Sequence, residues 1–327
     1  MKLLATTLAL AMLLAVSAAA CGQPDSPASQ PGASAANPAP AAPQDSYHAE
    51  MAKFRQDREQ TLKGDAGWLT IGGLWFLTQQ KTTFGSDAVN DIVFPESAPA
   101  RAGTFELRNG TVTVIAADDV TFRLDGKDVR TMELRSDVPG PADRLMLGDD
   151  LQFWVHNSGS RLSIRLRDQN NPLREQFTGL KWFPIDERYR VEATYEPFAK
   201  PKVVEIANIL GDVEEVPIPG LVRFSLNGEE YALEPFADPG DPQFWFVFRD
   251  LTSQKETYPA ARFLYASAPA SASSDASARQ ASGKMVLDFN KTVNPPCAYN
   301  QYTTCPLPTL QNRLRTRIEA GEKRYEH

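Results

Sequence analysis

The chain has 327 residues, 42% of them hydrophobic and 23% charged, with a formal net charge of −7. That length suits one large or two modest domains with a sizeable core, and the ordinary composition excludes a chain disordered or fibrous throughout. The acidic balance, with no block of Lys and Arg outside the C-terminal region, excludes a nucleic-acid partner, which needs a basic footprint.

Met1-Lys2 forms a short positive start, Leu3 to Val16 is an almost unbroken apolar run, and Ser17-Ala18-Ala19-Ala20 is a small-residue cleavage region. The run is about 14 residues long, short of the roughly 20 that a spanning helix requires. Cys21 follows at once. Small residues ending in Cys resemble the lipobox of bacterial lipoproteins, with Ala18 where that motif usually has Leu. The resemblance implies a signal peptide over residues 1–20, a lipid on Cys21, and a membrane partner reached through that lipid. The expected address is the cell envelope, lipid-anchored at the outer membrane or periplasmic face, because Gly22 and not Asp follows the cysteine. A plain signal peptide cut at the same small residues, leaving a periplasmic protein, is the alternative.

Residues 21–46 carry the lipidated Cys and a Pro-, Ala- and Ser-rich tether with no aromatic residue and no Lys or Arg. Such a segment buries too little apolar surface to offset chain entropy. A helix is expected over 47–64, with Tyr47, Met51, Phe54 and Leu62 on one face and Gly64 as its stop.

From Trp68 onward the texture changes to short alternating runs separated by turn residues. Thr104–Leu107 and Thr111–Ile115 flank Asn109-Gly110, the strongest hairpin signal in the chain, and Asp125-Gly126 and Asn227-Gly228 mark two more tight turns. Leu151–Val155 and Leu162–Leu166 read as a hairpin connected across His156 to Arg161. Later strands are expected at Leu221–Leu226, Tyr231–Leu233, Phe244–Phe248, Arg262–Tyr265 and Met285–Phe289, with an Ala- and Ser-rich loop over 266–283. Arg313, Arg315 and Arg317 alternate with Leu314, Thr316 and Ile318 as in an edge strand. The expected fold class is mostly β: a short N-terminal helix, a β-sandwich-like subdomain over 65–175, and a second antiparallel β subdomain over 176–327.

Longer motifs run through the body: Gly67-Trp68-Leu69, Gly72-Gly73-Leu74-Trp75, Asn90-Asp91-Ile92-Val93-Phe94-Pro95, Gly179-Leu180-Lys181-Trp182-Phe183-Pro184, Asp288-Phe289-Asn290-Lys291, Asn294-Pro295-Pro296-Cys297-Ala298, Thr304-Cys305-Pro306-Leu307-Pro308 and Ile318-Glu319-Ala320-Gly321-Glu322-Lys323-Arg324-Tyr325. In this order they resemble a bacterial family known only as domain of unknown function 1684, which carries no chemistry to transfer. Gly85-Ser86-Asp87 and Leu147-Gly148-Asp149-Asp150-Leu151 also make the first half resemble a forkhead-associated sandwich. That resemblance implies the fold alone. Ser86 stands where the family has the phosphate-binding Arg, and no His lies between His48 and His156.

The chain has three His, and only His156 lies inside the β body. No G-x-S-x-G, H-E-x-x-H or phosphate-cradling Gly loop accompanies it, so neither a triad nor a zinc site is read there, and no metal or cofactor is expected. Cys297 and Cys305 are a disulfide candidate once Cys21 is assigned to lipid; a reactive or metal-binding pair and two buried free thiols are the other readings. The polar cluster of the last third supplies the ligand-binding candidates Arg249, Tyr258, Arg262, Asp288, Asn290, Asn294 and Arg313. Asp288 and Asn290 are expected to share one strand face. Either they form a buried pairing network that orients the Pro-Pro-Cys loop, or they open into a pocket. A pocket would bind a small molecule, glycan or partner, or would act as an envelope hydrolase through Asp288 with Arg249 or Arg262. Phe244-Trp245-Phe246 points to both faces of its strand, so one of them is either core or an aromatic platform.

Overall fold

The computed structural model describes residues 43–237, 241–269 and 282–326. The expected signal peptide over 1–20, the candidate lipidation site Cys21, most of the expected tether and residues 270–281 of the expected Ala- and Ser-rich loop lie outside the described residues. What is described is mostly β, with an N-terminal helix followed by two β subdomains.

Helix α1 (Pro43–Lys63) starts inside the expected tether. A proline is tolerated in a first turn because its missing N–H has no intrahelical acceptor there, and Asp45 beside it complements the helix dipole. Tyr47, Met51 and Leu62 are buried along one side, as their spacing predicts.

The first subdomain is a two-sheet sandwich. One sheet joins β1 (Ile71–Phe76), β6 (Phe122–Leu124), β7 (Lys127–Val129), β9 (Leu145–Leu147), β10 (Leu151–Ser158) and β11 (Arg161–Asp168) in the order β1-β11-β10-β9-β6-β7. The other joins β2 (Lys81–Gly85), β3 (Ile92–Val93), β4 (Gly103–Arg108), β5 (Thr111–Ala116) and β8 (Thr131–Leu134) in the order β3-β2-β4-β5-β8. The alternate residues of both sheets meet in one core. Phe84 stacks on Phe105 with ring centroids 4.2 Å apart, and Phe153 meets both rings edge-on. The Asn109-Gly110 turn closes β4 and β5 with positive φ at both residues (50° and 79°), the primed geometry that matches strand twist.

The second subdomain has a four-stranded antiparallel sheet in the order β14-β13-β12-β17, from β12 (Arg190–Ala207), β13 (Val213–Leu226), β14 (Glu229–Leu233) and β17 (Gly283–Asp288). A separate hairpin, β15 (Gln243–Phe248) with β16 (Arg262–Ser267), packs Phe244, Phe246, Phe248 and Leu264 against it. The long β12 was not legible in the sequence. Residues 313–318 form no strand; their β-pairing is a bridge from Arg249 to Arg313, the Leu251 amide donates to the Thr316 carbonyl, and burial still alternates as expected.

The hairpin β10–β11 differs from the sequence reading in a way that decides where the site is. Pairing does not stop at His156; it continues through His156–Ser163 to Ser158–Arg161. Leu151, Phe153 and Val155 face the sandwich core, so Gln152, Trp154, His156 and Ser158 share the outer face. An outer face of a sandwich normally meets water. Here the second subdomain lies over it: Asn208 Nδ2 donates to Ser158 Oγ at 2.8 Å, Arg161 pairs with Asp212, and Asn300 Nδ2 donates to the Ile71 carbonyl at 2.6 Å. Polar residues are thereby buried at the junction of the two subdomains.

Candidate functional site

On that covered face His156 is 6% exposed. Its Nδ1 lies 2.8 Å from Asp137 Oδ2, and its Nε2 lies 2.9 Å from Thr304 Oγ. Asp137, between β8 and β9, also accepts from Trp154 Nε1 at 3.2 Å and from the Asn157 amide at 3.1 Å. Burial pushes the Asp137 carboxyl up, but the hydrogen bond and charge of His156, the Asn157 amide and Arg165 outweigh burial and hold it below the usual carboxylate range. An ionised carboxylate only accepts, so Nδ1 carries the proton. When the ring is neutral, Nε2 is the acceptor and the Thr304 hydroxyl donates to it. Arg165, across from Trp154 in the β10–β11 pairing, donates from Nη2 to the same Oγ at 3.4 Å. Its guanidinium is 5% exposed and 3.8 Å from the nearest Asp137 oxygen, and its Nε has no hydrogen-bond partner among the described residues. Burial lowers its pKa to about 10, which leaves it charged at neutral pH.

Thr304 lines two cavities. One, of about 250 Å³, lies among Trp68, Trp245, Phe263, Pro296 and Pro306. The other, of about 590 Å³, is lined by His156, Asn157, Asn208, Glu214 and Gln243. Tyr265 lines both, and a third cavity of about 760 Å³ between α1 and β17 as well, so the three adjoin. Trp245 and Tyr265, opposite each other on β15 and β16, hold their rings parallel within 7°. The neighbours Phe244 and Phe246 are buried in the core, so Trp245 is the member of that triplet that faces the cleft. Trp245 Nε1 is a buried donor without an acceptor among the described residues.

The sequence-derived candidates do not gather into one site. Arg262 is fully buried; its guanidinium meets Asp250 at 2.5 Å and donates to the Ile318 and Ala320 carbonyls. This closed network locks the hairpin to the C-terminal segment. Arg249 bonds through its backbone to residues 312 and 314, and Arg313 is exposed beside it. Tyr258 packs against the cluster of Leu62 and Tyr299 and hydrogen-bonds the Cys297 thiol. Asp288 and Asn290 do not share a strand face, because β17 ends at Asp288, which caps a 3-10 turn by accepting from the Asn290 amide at 3.1 Å. Asp288 accepts from Tyr47 Oη at 2.9 Å, and Asn290 Nδ2 donates to the same oxygen at 3.0 Å. Burial raises the Asp288 carboxyl, and the Tyr47 hydrogen bond opposes that rise. This is a paired network that docks α1, although Asp288 also lines the cavity of about 760 Å³. Asn294 alone of the seven lines a cavity that Thr304 lines.

In place of the candidate disulfide, Cys297 and Cys305 are free thiols, and Cys305 Sγ accepts from the Cys297 amide at 3.2 Å. The hydrogen bond to Cys305 and burial push the Cys297 thiol up, so it stays protonated.

Asp137, Thr304 and Glu322 are absent from the sequence-derived candidates, and Trp245 was expected only as core or as part of an aromatic platform. Glu322 is 1% exposed and accepts from the Asn294 amide at 3.2 Å and from Asn294 Nδ2 at 2.9 Å, with Arg58 Nε 3.5 Å away. The usable signal for the relay was the in-phase polar run Gln152, Trp154, His156, Ser158, which marks a sheet face too polar for a core and too aromatic for open water.

Residues 175–323 match the model of a family described as protein of unknown function, DUF1684. No curated protein matches the chain. Among solved structures, the solution NMR structure of an uncharacterised protein from Haloarcula marismortui is 31% identical, covers 46% of this chain and 78% of its own, and has a TM-score of 0.37.

Proposed function

From a chain that carries a DUF1684-family domain over residues 175–323, we propose a lipid-anchored envelope hydrolase that cleaves esters at the junction of its two subdomains. Thr304 is its nucleophile, His156 its general base and Asp137 the group that orients the imidazole. The first half acts as a forkhead-associated-like scaffold whose outer face has become an active-site wall. The observation that carries this reading is the continuous relay from carboxylate to imidazole to hydroxyl, with contacts of 2.8 and 2.9 Å, ending on Thr304, a residue that lines two cavities. The envelope address is supported by the Met1-Lys2 start, the apolar run and Cys21.

Each group has one task. Asp137 keeps the proton on Nδ1, so Nε2 faces Thr304 as a base. The buried Arg165 guanidinium beside Oγ favours the alkoxide as its proton leaves, because charge interacts strongly where water is excluded. Trp245 lines both cavities, and its buried Nε1 has no acceptor among the described residues. Asp288 is not needed for this chemistry: its carboxylate holds Tyr47. Binding of a small molecule or glycan without turnover is the second reading, supported by the adjoining cavities and the Trp245–Tyr265 platform.

The test is hydrolysis of p-nitrophenyl esters by purified protein. Thr304→Val, which removes the hydroxyl at nearly constant volume, should lower kcat/KM by about 100-fold or more, while Thr304→Ser should retain turnover. Asp137→Asn should cost a similar factor by allowing the wrong tautomer. Equal rates in wild type and Thr304→Val would remove the hydrolase reading and leave the binding one.

A further inference from the structure

The two cavities that meet at Thr304 are chemically unlike, and the relay enters only one of them. His156 lines the 590 Å³ cavity and is absent from the walls of the 250 Å³ one. In acyl transfer the base that takes the nucleophile's proton returns it to the leaving oxygen. The leaving oxygen must therefore sit on the His156 side of Thr304, and the acyl group on the other. From this we infer that the substrate is an ester joining a short or aromatic acyl group to a neutral polyhydroxylated alcohol such as a sugar. The inference rests on the hydrolase reading of Thr304.

The acyl side is small and walled by rings. Its volume of about 250 Å³ falls below the roughly 300 Å³ at which pockets for drug-sized ligands begin. Trp68, Trp245 and Phe263 supply flat apolar surface. Two of its polar side chains are held by neighbours: Arg58 Nη2 donates to the Asn294 carbonyl, and Asn294 Nδ2 donates to Glu322 and to the Lys323 carbonyl, whereas Asn294 Oδ1 and Trp245 Nε1 have no partner among the described residues. A ring or a chain of a few carbons fills it, and a longer fatty chain has to leave it for the adjoining cavity of about 760 Å³. The alcohol side differs in both size and chemistry. Asn157 and Gln243 present side-chain amides, Glu214 presents a carboxylate, and no Lys or Arg is among its described lining residues. Hydroxyl groups satisfy such a wall, whereas a phosphate or carboxylate on the alcohol meets like charge. Trp245 and Tyr265 border this cavity too, giving a sugar ring an apolar face to lie on.

The reaction balances as ester plus water giving acid plus alcohol. Thr304 Oγ attacks the carbonyl carbon and its proton passes to His156 Nε2. The carbon–oxygen bond to the alcohol breaks and that oxygen takes the proton from His156. Water then attacks the acyl-Thr304 ester, its proton passes through His156 to Thr304 Oγ, and the acid leaves.

The experiment crosses three acyl groups (acetyl, benzoyl, decanoyl) with two alcohols (methyl glucoside and glycerol 3-phosphate), subtracting the Thr304→Val rate as blank. Acetyl and benzoyl esters of methyl glucoside should exceed the decanoyl ester by about tenfold or more in kcat/KM, and the glucoside esters should exceed the phosphate-bearing ones by a similar factor. Trp68→Ala, which enlarges the acyl side, should raise the decanoyl-to-benzoyl ratio about fivefold or more. A second arm needs no turnover: in Thr304→Val, benzoate and methyl glucoside should both bind in ligand-observed NMR, and Trp68→Ala should weaken benzoate alone. Thr304-dependent rates that favour decanoyl or the phosphate-bearing alcohol overturn the substrate assignment and leave the relay intact. Absence of any Thr304-dependent rate overturns the relay itself, and absence of binding in the second arm overturns the two-compartment assignment on its own.

Discussion

Glu322 lies beneath Arg58 and Asn294, and burial raises its carboxyl to about 7, with Arg58 and the Asn294 hydrogen bonds opposing the rise. The unfolded chain releases that proton near the ordinary glutamate value of 4.5. Between those values the folded state binds a proton that the unfolded state does not, so stability falls as pH rises through this window and levels off above about 7. The depth of that fall is about 3 kcal/mol. Glu322→Gln keeps the shape without the titration, so its midpoint in urea should lose this pH dependence between pH 5 and 8; an unchanged slope would contradict the assignment. At this scale the sequence was legible for burial and not for pairing. Arg262 and Asp288 stood out as polar residues on core-like strands, and both are buried. Whether such a group opens to a ligand or closes on a partner depends on residues far away in the chain, as Tyr47 does for Asp288 across 241 positions. The same distance hid the relay: Thr304 lies 148 positions from His156.

The short turns were legible because their chemistry is local. Asn109, Asp125 and Asn227 each take positive φ (50°, 50° and 55°) before a glycine, which is what a primed hairpin turn demands. The helix was legible too, since Tyr47, Met51 and Leu62 repeat at helical spacing. Strand β12 was not. It carries Pro197 and Pro201, and its register against β13 shifts between Pro197 and Lys202, so its pattern breaks where a strand should be most regular. The extension of β10 to Ser158 escaped for a related reason: its outer face is polar because another subdomain covers it, and periodicity reports only alternation. The docking of α1 gives a direct test at this scale. Tyr47→Phe removes the hydroxyl that serves both Asp288 oxygens and Asn290. Leaving those buried groups unpaired should lower unfolding stability by about 1–3 kcal/mol in urea titration, and a loss below a few tenths would mean that the network does not hold the helix.

For the whole molecule, the relay depends on both subdomains being present. Asp137 and His156 come from the sandwich, and Thr304 comes from the loop that closes the second subdomain. The family match over residues 175–323 holds Thr304 and neither of the other two. Composition and turn spacing made the mostly β architecture legible, but the contact between subdomains was not, because no local pattern encodes which polar face will be covered. The placement gives the hydrolase account its sharpest exposure: an ester substrate must leave its acyl group on one identified oxygen. Protein mixed with p-nitrophenyl acetate, quenched in acid within the first turnover and mapped by peptide mass spectrometry should carry an acetyl group on Thr304 in the wild type and none there in His156→Ala. Turnover with no acylated Thr304 peptide, or an adduct that persists unchanged in His156→Ala, would contradict it.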